Sequence, residues 1–162
     1  MATLIDPRIG TVHLDANAID LDGERDALVS RLLDLNDAAK IGINLAGSVR
    51  RQIAHPNTPM HVRAALLPQI YTLDVIRTSE ETARLDSIVA LVRGNSPSNQ
   101  HDADAEHVFE AWKYGARYFI TEDRGLLKKR GEISRLLGAT PVIVTLQEFI
   151  AKYDEFAAAY SV

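Results

Sequence analysis

The sequence has no cysteine, which excludes disulfide bonds, zinc–thiolate sites and cysteine nucleophiles. It has no excess of positive charge either. With a formal net charge of −4, any contact with nucleic acid must come from a local basic patch. No apolar run approaches the roughly 20 residues of a transmembrane helix, and the N-terminus lacks the pattern of a signal peptide. We therefore expect a cytoplasmic protein that makes no contact with a membrane.

The length and composition predict a single globular domain. The chain has 162 residues, of which 46% are apolar and 25% charged, as is usual for a soluble protein that buries a core. No internal repeat, low-complexity tract or long linker divides the sequence. We therefore expect one domain over residues 1–162.

Strands and helices alternate along the predicted secondary structure. Short apolar stretches predict strands at 11–15, 40–45, 118–121 and 141–145. Apolar residues at helical spacing and helix-capping residues predict helices at 24–36, 49–55, 59–67, 79–93, 103–114, 125–130 and 146–159. The alternation predicts an α/β fold with a mostly parallel sheet that is covered by helices on both faces.

Three aspartates lie at junctions between these predicted elements. Asp15 ends the first strand, Asp104 lies at the start of a helix, and Asp123 follows the third strand. Taken singly, each is more often a helix N-cap. Because the carboxyl ends of parallel strands share one edge of a sheet, the three carboxylates are expected to meet there, where a hard divalent cation would keep them ionised. The pattern indicates metal-assisted cleavage of phosphodiester bonds.

The segments around these aspartates resemble the motifs of the PIN-domain nucleases. Residues 14–17 (LDAN) are similar to the first acidic motif of that family. Residues 104–108 (DAEHV) and 115–124 (GARYFITEDR) are similar to its C-terminal signature. In that signature an aspartate–alanine pair starts a helix, and a strand ends in a threonine, a polar residue and an aspartate. The resemblance extends over residues 11–150 and keeps the family's element order.

The resemblance implies a PIN-like three-layer α/β/α sandwich and a hydrolase, a ribonuclease that depends on Mg²⁺ or Mn²⁺. Family members are often the toxin of a bacterial toxin–antitoxin pair, so the implied partners are an RNA substrate and an antitoxin protein. Carried over by position, the catalytic and metal-binding carboxylates are Asp15, Asp104 and Asp123. Asn17 and Thr121 would hold them by hydrogen bonds, and Asp102 is either a further metal ligand or a helix cap.

One position departs from the family pattern. The family usually places a glutamate at the start of a helix after the second strand, and the matching stretch, residues 47–53, has Gln52 at that position. A glutamine keeps the shape and one carbonyl acceptor but removes the charge and the capacity to act as a general base. The substitution predicts weaker cation binding and makes a second metal ion doubtful.

Basic residues near these motifs are candidates for contacts with RNA phosphates. Arg50 and Arg51 adjoin Gln52, and Arg124 adjoins Asp123. Residues 128–130 (KKR) either extend the patch at Arg124 or form a solvated helix face, which is the commoner case. Other polar and aromatic residues favour a structural role: His107 as a packed or surface side chain, Phe109 and Trp112 as core, and Ser48 as a helix cap without a nucleophile's partners.

Three classes of function follow from these patterns. The first is a metal-dependent endoribonuclease, and the second is a catalytically weakened or inactive domain that binds RNA or protein. A phosphoryl-accepting receiver domain ranks last, because the sequence lacks the adjacent pair of N-terminal acids and the lysine which that chemistry needs. The apolar stripes of helices 79–93 and 146–159 either support a homodimer or face the chain's own core, as is usual.

Overall fold

The structure is a computed structural model that describes residues 5–19, 26–53, 56, 60, 63, 64, 77–95 and 102–160. The strands are β1 (Thr11–Leu14), β2 (Gly42–Asn44), β3 (Tyr118–Ile120) and β4 (Val142–Val144). The α-helices with described bounds are α1 (Asp26–Asp37), α2 (Gly47–Ile53), α3 (Ser79–Arg93), α4 (Asp102–Lys113), α5 (Arg124–Leu137) and α6 (Leu146–Ala159). A 3₁₀-helix, Ala16–Ile19, directly follows Asp15.

The strands form a parallel sheet in the order β2-β1-β3-β4. Val12 of β1 is in register with Ile43 of β2 on one side and with Tyr118 of β3 on the other. The central position of β1 and β3 places their carboxyl ends side by side. Because the strands are parallel, all their carboxyl ends lie at one edge of the sheet, where α/β proteins commonly carry their functional groups.

Two hydrophobic clusters lie on opposite faces of the sheet, because side chains alternate between its faces along each strand. Tyr118 and Ile120 belong to one cluster, which includes apolar residues of α1, α2 and α6. Phe119, between them in sequence, belongs to the other cluster, which includes apolar residues of α3, α4 and α5. Helices therefore cover both faces of the sheet, an arrangement compatible with three layers.

Local capping interactions fix several helix boundaries. Thr78 and Glu81 form a capping box at the start of α3, and Thr145 and Glu148 form another at the start of α6. Beyond α4, Gly115 has φ 71°, a conformation that glycine adopts without steric cost, and the chain then turns into β3. These signals are local in sequence, which makes such helix ends predictable. The predicted bounds of α3 and α6 are confirmed at both ends.

The predicted order of strands and helices is confirmed within the described residues, with two corrections. The helix predicted at 125–130 continues to Leu137, because Ile133 and Leu137 are buried together with Leu126 and extend its apolar face. The helix predicted to follow a Ser48 cap begins at Gly47, so that Ser48 lies in its first turn. The helix predicted at 59–67 falls largely outside the described residues. None of the described helices combines the length and apolar character needed to cross a membrane.

Candidate functional site

Asp15 lies at the carboxyl end of β1 with only 2% of its surface exposed. Its backbone N–H donates to the carbonyl oxygen of Ile120 at 2.9 Å, which continues the pairing of β1 with β3 by one residue. The side chain accepts a hydrogen bond from the Thr121 hydroxyl, with 3.0 Å between Oγ1 and Oδ2. Ile120 is the last residue of β3 and Thr121 follows it, so the two central strands of the sheet position this carboxylate.

The Thr121 hydroxyl connects Asp15 to Asp123. While Oγ1 donates to Asp15, it accepts a hydrogen bond from the backbone N–H of Asp123 at 3.0 Å. Asn17 supports the same turn, because its Oδ1 accepts from the backbone N–H of Glu122 at 3.1 Å. The Thr121 and Asn17 side chains, both predicted from the PIN-domain motifs to hold the carboxylates, thus connect the end of β1 to the turn after β3. Asn17 and Glu122 are 105 positions apart in sequence.

Asp123 is the N-cap of α5. Its Oδ1 accepts from the backbone N–H of Leu126 at 2.8 Å, so the structural interpretation of this aspartate is confirmed. A carboxylate has a second oxygen, and within the described part of the chain no protein group donates to Asp123 Oδ2. Capping and binding of a cation are therefore compatible at this residue, with one oxygen used by each.

Asp102 and Asp104 lie in the first turn of α4. Because α4 connects to β3 through a short turn, the helix runs antiparallel to the strand, and its first turn lies at the carboxyl edge of the sheet. Asp102 forms a bidentate ion pair with Arg93 of α3, with 2.6 Å and 3.2 Å between the paired atoms. Asp104 is half-buried at the same end of the helix.

The three predicted ligands are chemically suited to Mg²⁺ or Mn²⁺, since all their donor atoms are carboxylate oxygens. Asp15 and Asp123 form the assembled part of this set through Thr121. Among the residues that the structure describes, no three histidine, cysteine, aspartate or glutamate side chains form a group that could hold a metal ion.

A buried polar cluster that the sequence did not reveal joins α2 to α4. Ser48 Oγ lies 2.7 Å from His107 Nδ1 and also donates to Glu110. The backbone N–H of Ser48 donates to the same Glu110 oxygen, Oε2, at 3.0 Å. The pKa of His107 is lowered to about 4, mainly by burial; the Glu106 charge opposes this shift and the Arg51 charge contributes to it. The Ser48 hydroxyl proton is thus directed at Glu110, which makes the cluster a structural connection between helices.

His13, in the centre of β1, is the second histidine that is buried within the described ranges. Only 2% of its surface is exposed, and neither ring nitrogen has a hydrogen-bond partner in the described structure. Its ring stacks on Tyr114 at the end of α4, with 6.3 Å between ring centres. Burial lowers the pKa of His13 to about 4, so the ring is neutral at physiological pH.

The predicted RNA-binding residues have different environments. Arg51 is paired with Glu106 at 2.9 Å, and Glu106 accepts equally from Arg77. Arg124 is exposed at the first position of α5. The side chains of Arg50 and Gln52 lie outside the described part of the structure. Gln52 itself belongs to the last turn of α2, and Ser48 occupies the first turn of that helix, where the resemblance places an acidic residue.

Comparison with known proteins gives no match among family models, curated protein sequences or solved structures. An assignment of function therefore rests on the residues at the carboxyl edge of the sheet and on the motifs in which they occur.

Proposed function

We propose that this protein is a divalent-metal-dependent endoribonuclease of the PIN-like kind, with Asp15, Asp104 and Asp123 as its catalytic carboxylates. The observation that carries the proposal is the shared contact at Thr121, whose hydroxyl donates to Asp15 and accepts from the backbone of Asp123. This contact joins the first and the last of the acidic motifs at the end of the two central strands.

The burial of Asp15 supports a site that binds positive charge. An ionised carboxylate with 2% exposure is costly to remove from water unless hydrogen bonds and an opposite charge compensate it. The Thr121 hydroxyl supplies one hydrogen bond to this carboxylate. A cation at the edge of the sheet would add an opposite charge beside Asp15, and Asp123 Oδ2 faces no donor among the described residues.

Residues of this chain would bind the metal ion and fix the orientation of its ligands. Asp15, Asp104 and Asp123 would hold Mg²⁺ or Mn²⁺, which when bound lowers the pKa of a water molecule and balances the charge that develops at phosphorus. Thr121 fixes the rotamer of Asp15, and the N-cap contact with Leu126 fixes that of Asp123. Rigid carboxylates of this kind favour cleavage because the site needs little rearrangement during the reaction.

The substrate is RNA, and an antitoxin protein is the partner if the chain is the toxin of a toxin–antitoxin pair. Both assignments follow from the resemblance of residues 14–17, 104–108 and 115–124 to the PIN-domain motifs. A second candidate is a binding domain without catalysis. Gln52 favours this candidate, because a neutral side chain replaces the carboxylate that the family pattern places in this region.

Cleavage of single-stranded RNA during a titration with Mn²⁺ separates the two candidates. The nuclease should cleave, and Asp104→Asn should lower the rate by roughly 100-fold or more, since a lost ligand removes several kcal/mol of stabilisation from the transition state. Asp86→Asn is the matched control, because Asp86 is an exposed aspartate on α3. Absence of cleavage by the wild-type protein at every metal concentration would favour the binding domain.

A further inference from the structure

The strongest concentration of positive charge in this acidic chain lies on α5, the helix that begins next to Asp123. α5 contains five basic residues and one acidic residue, whereas the whole chain has a net charge of −4. Four of the basic residues are exposed, and three of these, Arg124, Lys128 and Arg135, form no ion pair within the described part of the chain. We call these three residues the α5 cationic stripe.

Helical geometry aligns the stripe. Each residue advances an α-helix by 100°, so Arg124, Lys128 and Arg135 point within about 40° of one another and extend over roughly 16 Å of the helix axis. The other two basic residues of α5 point elsewhere. One of them, Arg130, pairs with Glu148 of α6 at 3.0 Å. The stripe is therefore a straight row of charges that starts beside the proposed active site.

The charges of the stripe are not used inside the protein. Within the described residues, Arg124, Lys128 and Arg135 have neither an ion pair nor a hydrogen-bond partner. Most other arginines of the described chain are engaged, as Arg31 is with Asp154 and Arg93 with Asp102. Unpaired cations in a row keep their charge available for an external anion.

Helix stabilisation explains Arg135, which lies in the last turn of α5, but not the rest of the stripe. Positive side chains stabilise the last turn of a helix and oppose the dipole in the first turn. Arg124 is the first residue of α5, and the first turn contains no acidic residue. The position of Arg124 is therefore unfavourable for the helix but well suited to an anion that passes Asp123.

We infer that the α5 cationic stripe binds successive phosphates of a single-stranded RNA, so that the strand leaves the proposed active site along α5. The inference rests on the proposed function for the direction of the strand and for the identity of the anion. A linear polyanion fits the stripe because its charges repeat along a line. Glu132, the single acidic residue of α5, borders the stripe and would repel the same strand.

Fluorescence anisotropy with a labelled single-stranded RNA, in EDTA to prevent cleavage, tests the stripe. We expect Lys128→Gln and Arg135→Gln each to reduce the slope of log affinity against log salt by about 0.7, the contribution of one phosphate contact on a single strand. Glu132→Gln should increase the affinity. Lys40→Gln is the control, because Lys40 is an exposed lysine that precedes β2 at the opposite edge of the sheet.

Two results would overturn the inference. The first is a salt slope for Lys128→Gln and Arg135→Gln that equals the slopes of the wild-type protein and of Lys40→Gln. The second is displacement of the RNA by polyglutamate at equal charge concentration, which would assign the stripe to an acidic protein segment. Cleavage assays on the same proteins keep the two proposals separate. Cleavage by the wild-type protein together with unchanged salt slopes in the variants would support the nuclease proposal and reject RNA binding by the stripe. Reduced salt slopes without any cleavage would support RNA binding by the stripe and reject the nuclease proposal.

Discussion

The hydroxyl of Thr121 donates a hydrogen bond to Oδ2 of Asp15 at 3.0 Å, although the two residues are 106 positions apart in sequence. Both side chains are almost fully buried. The contact connects the end of β1 to the turn after β3, and it fixes the orientation of the carboxylate on which the proposed metal site is centred. Its removal should therefore affect both stability and activity.

Replacement of the Thr121 hydroxyl tests this contact. Thr121→Val keeps the shape of the side chain but removes a hydrogen bond to the buried Asp15, so the free energy of unfolding should fall by about 1–3 kcal/mol. RNA cleavage should fall as well. Thr121→Ser is the matched control, because it loses a buried methyl group and some stability but keeps the hydroxyl and should keep cleavage. Equal loss of cleavage in the two variants would contradict a role for the hydroxyl.

His13 and His107, the two histidines that are buried among the described residues, should respond in opposite ways to the same substitution. His13→Leu should raise the free energy of unfolding at pH 7 by about 1–2 kcal/mol, because both ring nitrogens lack hydrogen-bond partners in the described structure. His107→Leu should lower it by about 1–3 kcal/mol, because Nδ1 contacts the Ser48 hydroxyl at 2.7 Å. Urea denaturation with unchanged m-values measures both effects. Destabilisation by both variants would show that His13 has a polar partner.

His107 also predicts a dependence of stability on pH. Its pKa is lowered to about 4 in the folded protein, from an ordinary value of 6.5. Between these values the unfolded chain binds the proton and the folded chain does not, so stability falls as the pH falls through this window. The expected loss from this residue between pH 7.5 and pH 5 is about 2 kcal/mol.

The variant His107→Gln isolates this contribution, because glutamine keeps a polar contact for Ser48 without titrating. Unfolding of the wild-type protein and of His107→Gln should be compared at pH 7.5, 6 and 5 with a neutral denaturant. We expect the stability of the variant to fall less over this range, by about 2 kcal/mol. Parallel curves would mean that His107 has the same pKa in the folded and unfolded states.

Much of the fold could be predicted from the sequence because its signals are local. Residues 78–81 (TSEE) contain a complete capping box, which marks the start of α3 without reference to the rest of the chain. α5 was predicted too short, since Gly131 and the basic run at 128–130 interrupt its apolar pattern. Only the packing of Ile133 and Leu137 against the sheet shows that the helix continues.

The site was less predictable because its contacts join distant segments. Thr121 and Asn17 could be selected by resemblance, and the structure supplies the hydrogen bonds that they make. The cluster of Ser48, His107 and Glu110 was missed, because Ser48 lies 59 positions from His107 and 62 from Glu110 in the sequence. The i, i+3 spacing of His107 and Glu110 on α4 was the available signal, and it gives no indication of Ser48.

The most direct test of the proposed site is the binding of Mn²⁺ itself, followed by the loss of the EPR signal of the free ion during a titration. We predict that the wild-type protein binds Mn²⁺, that Asp15→Asn and Asp123→Asn each weaken this binding by roughly tenfold or more, and that Asp86→Asn binds as the wild-type protein does. Equal binding by all four proteins, or no binding by any of them, would contradict a metal site at these aspartates.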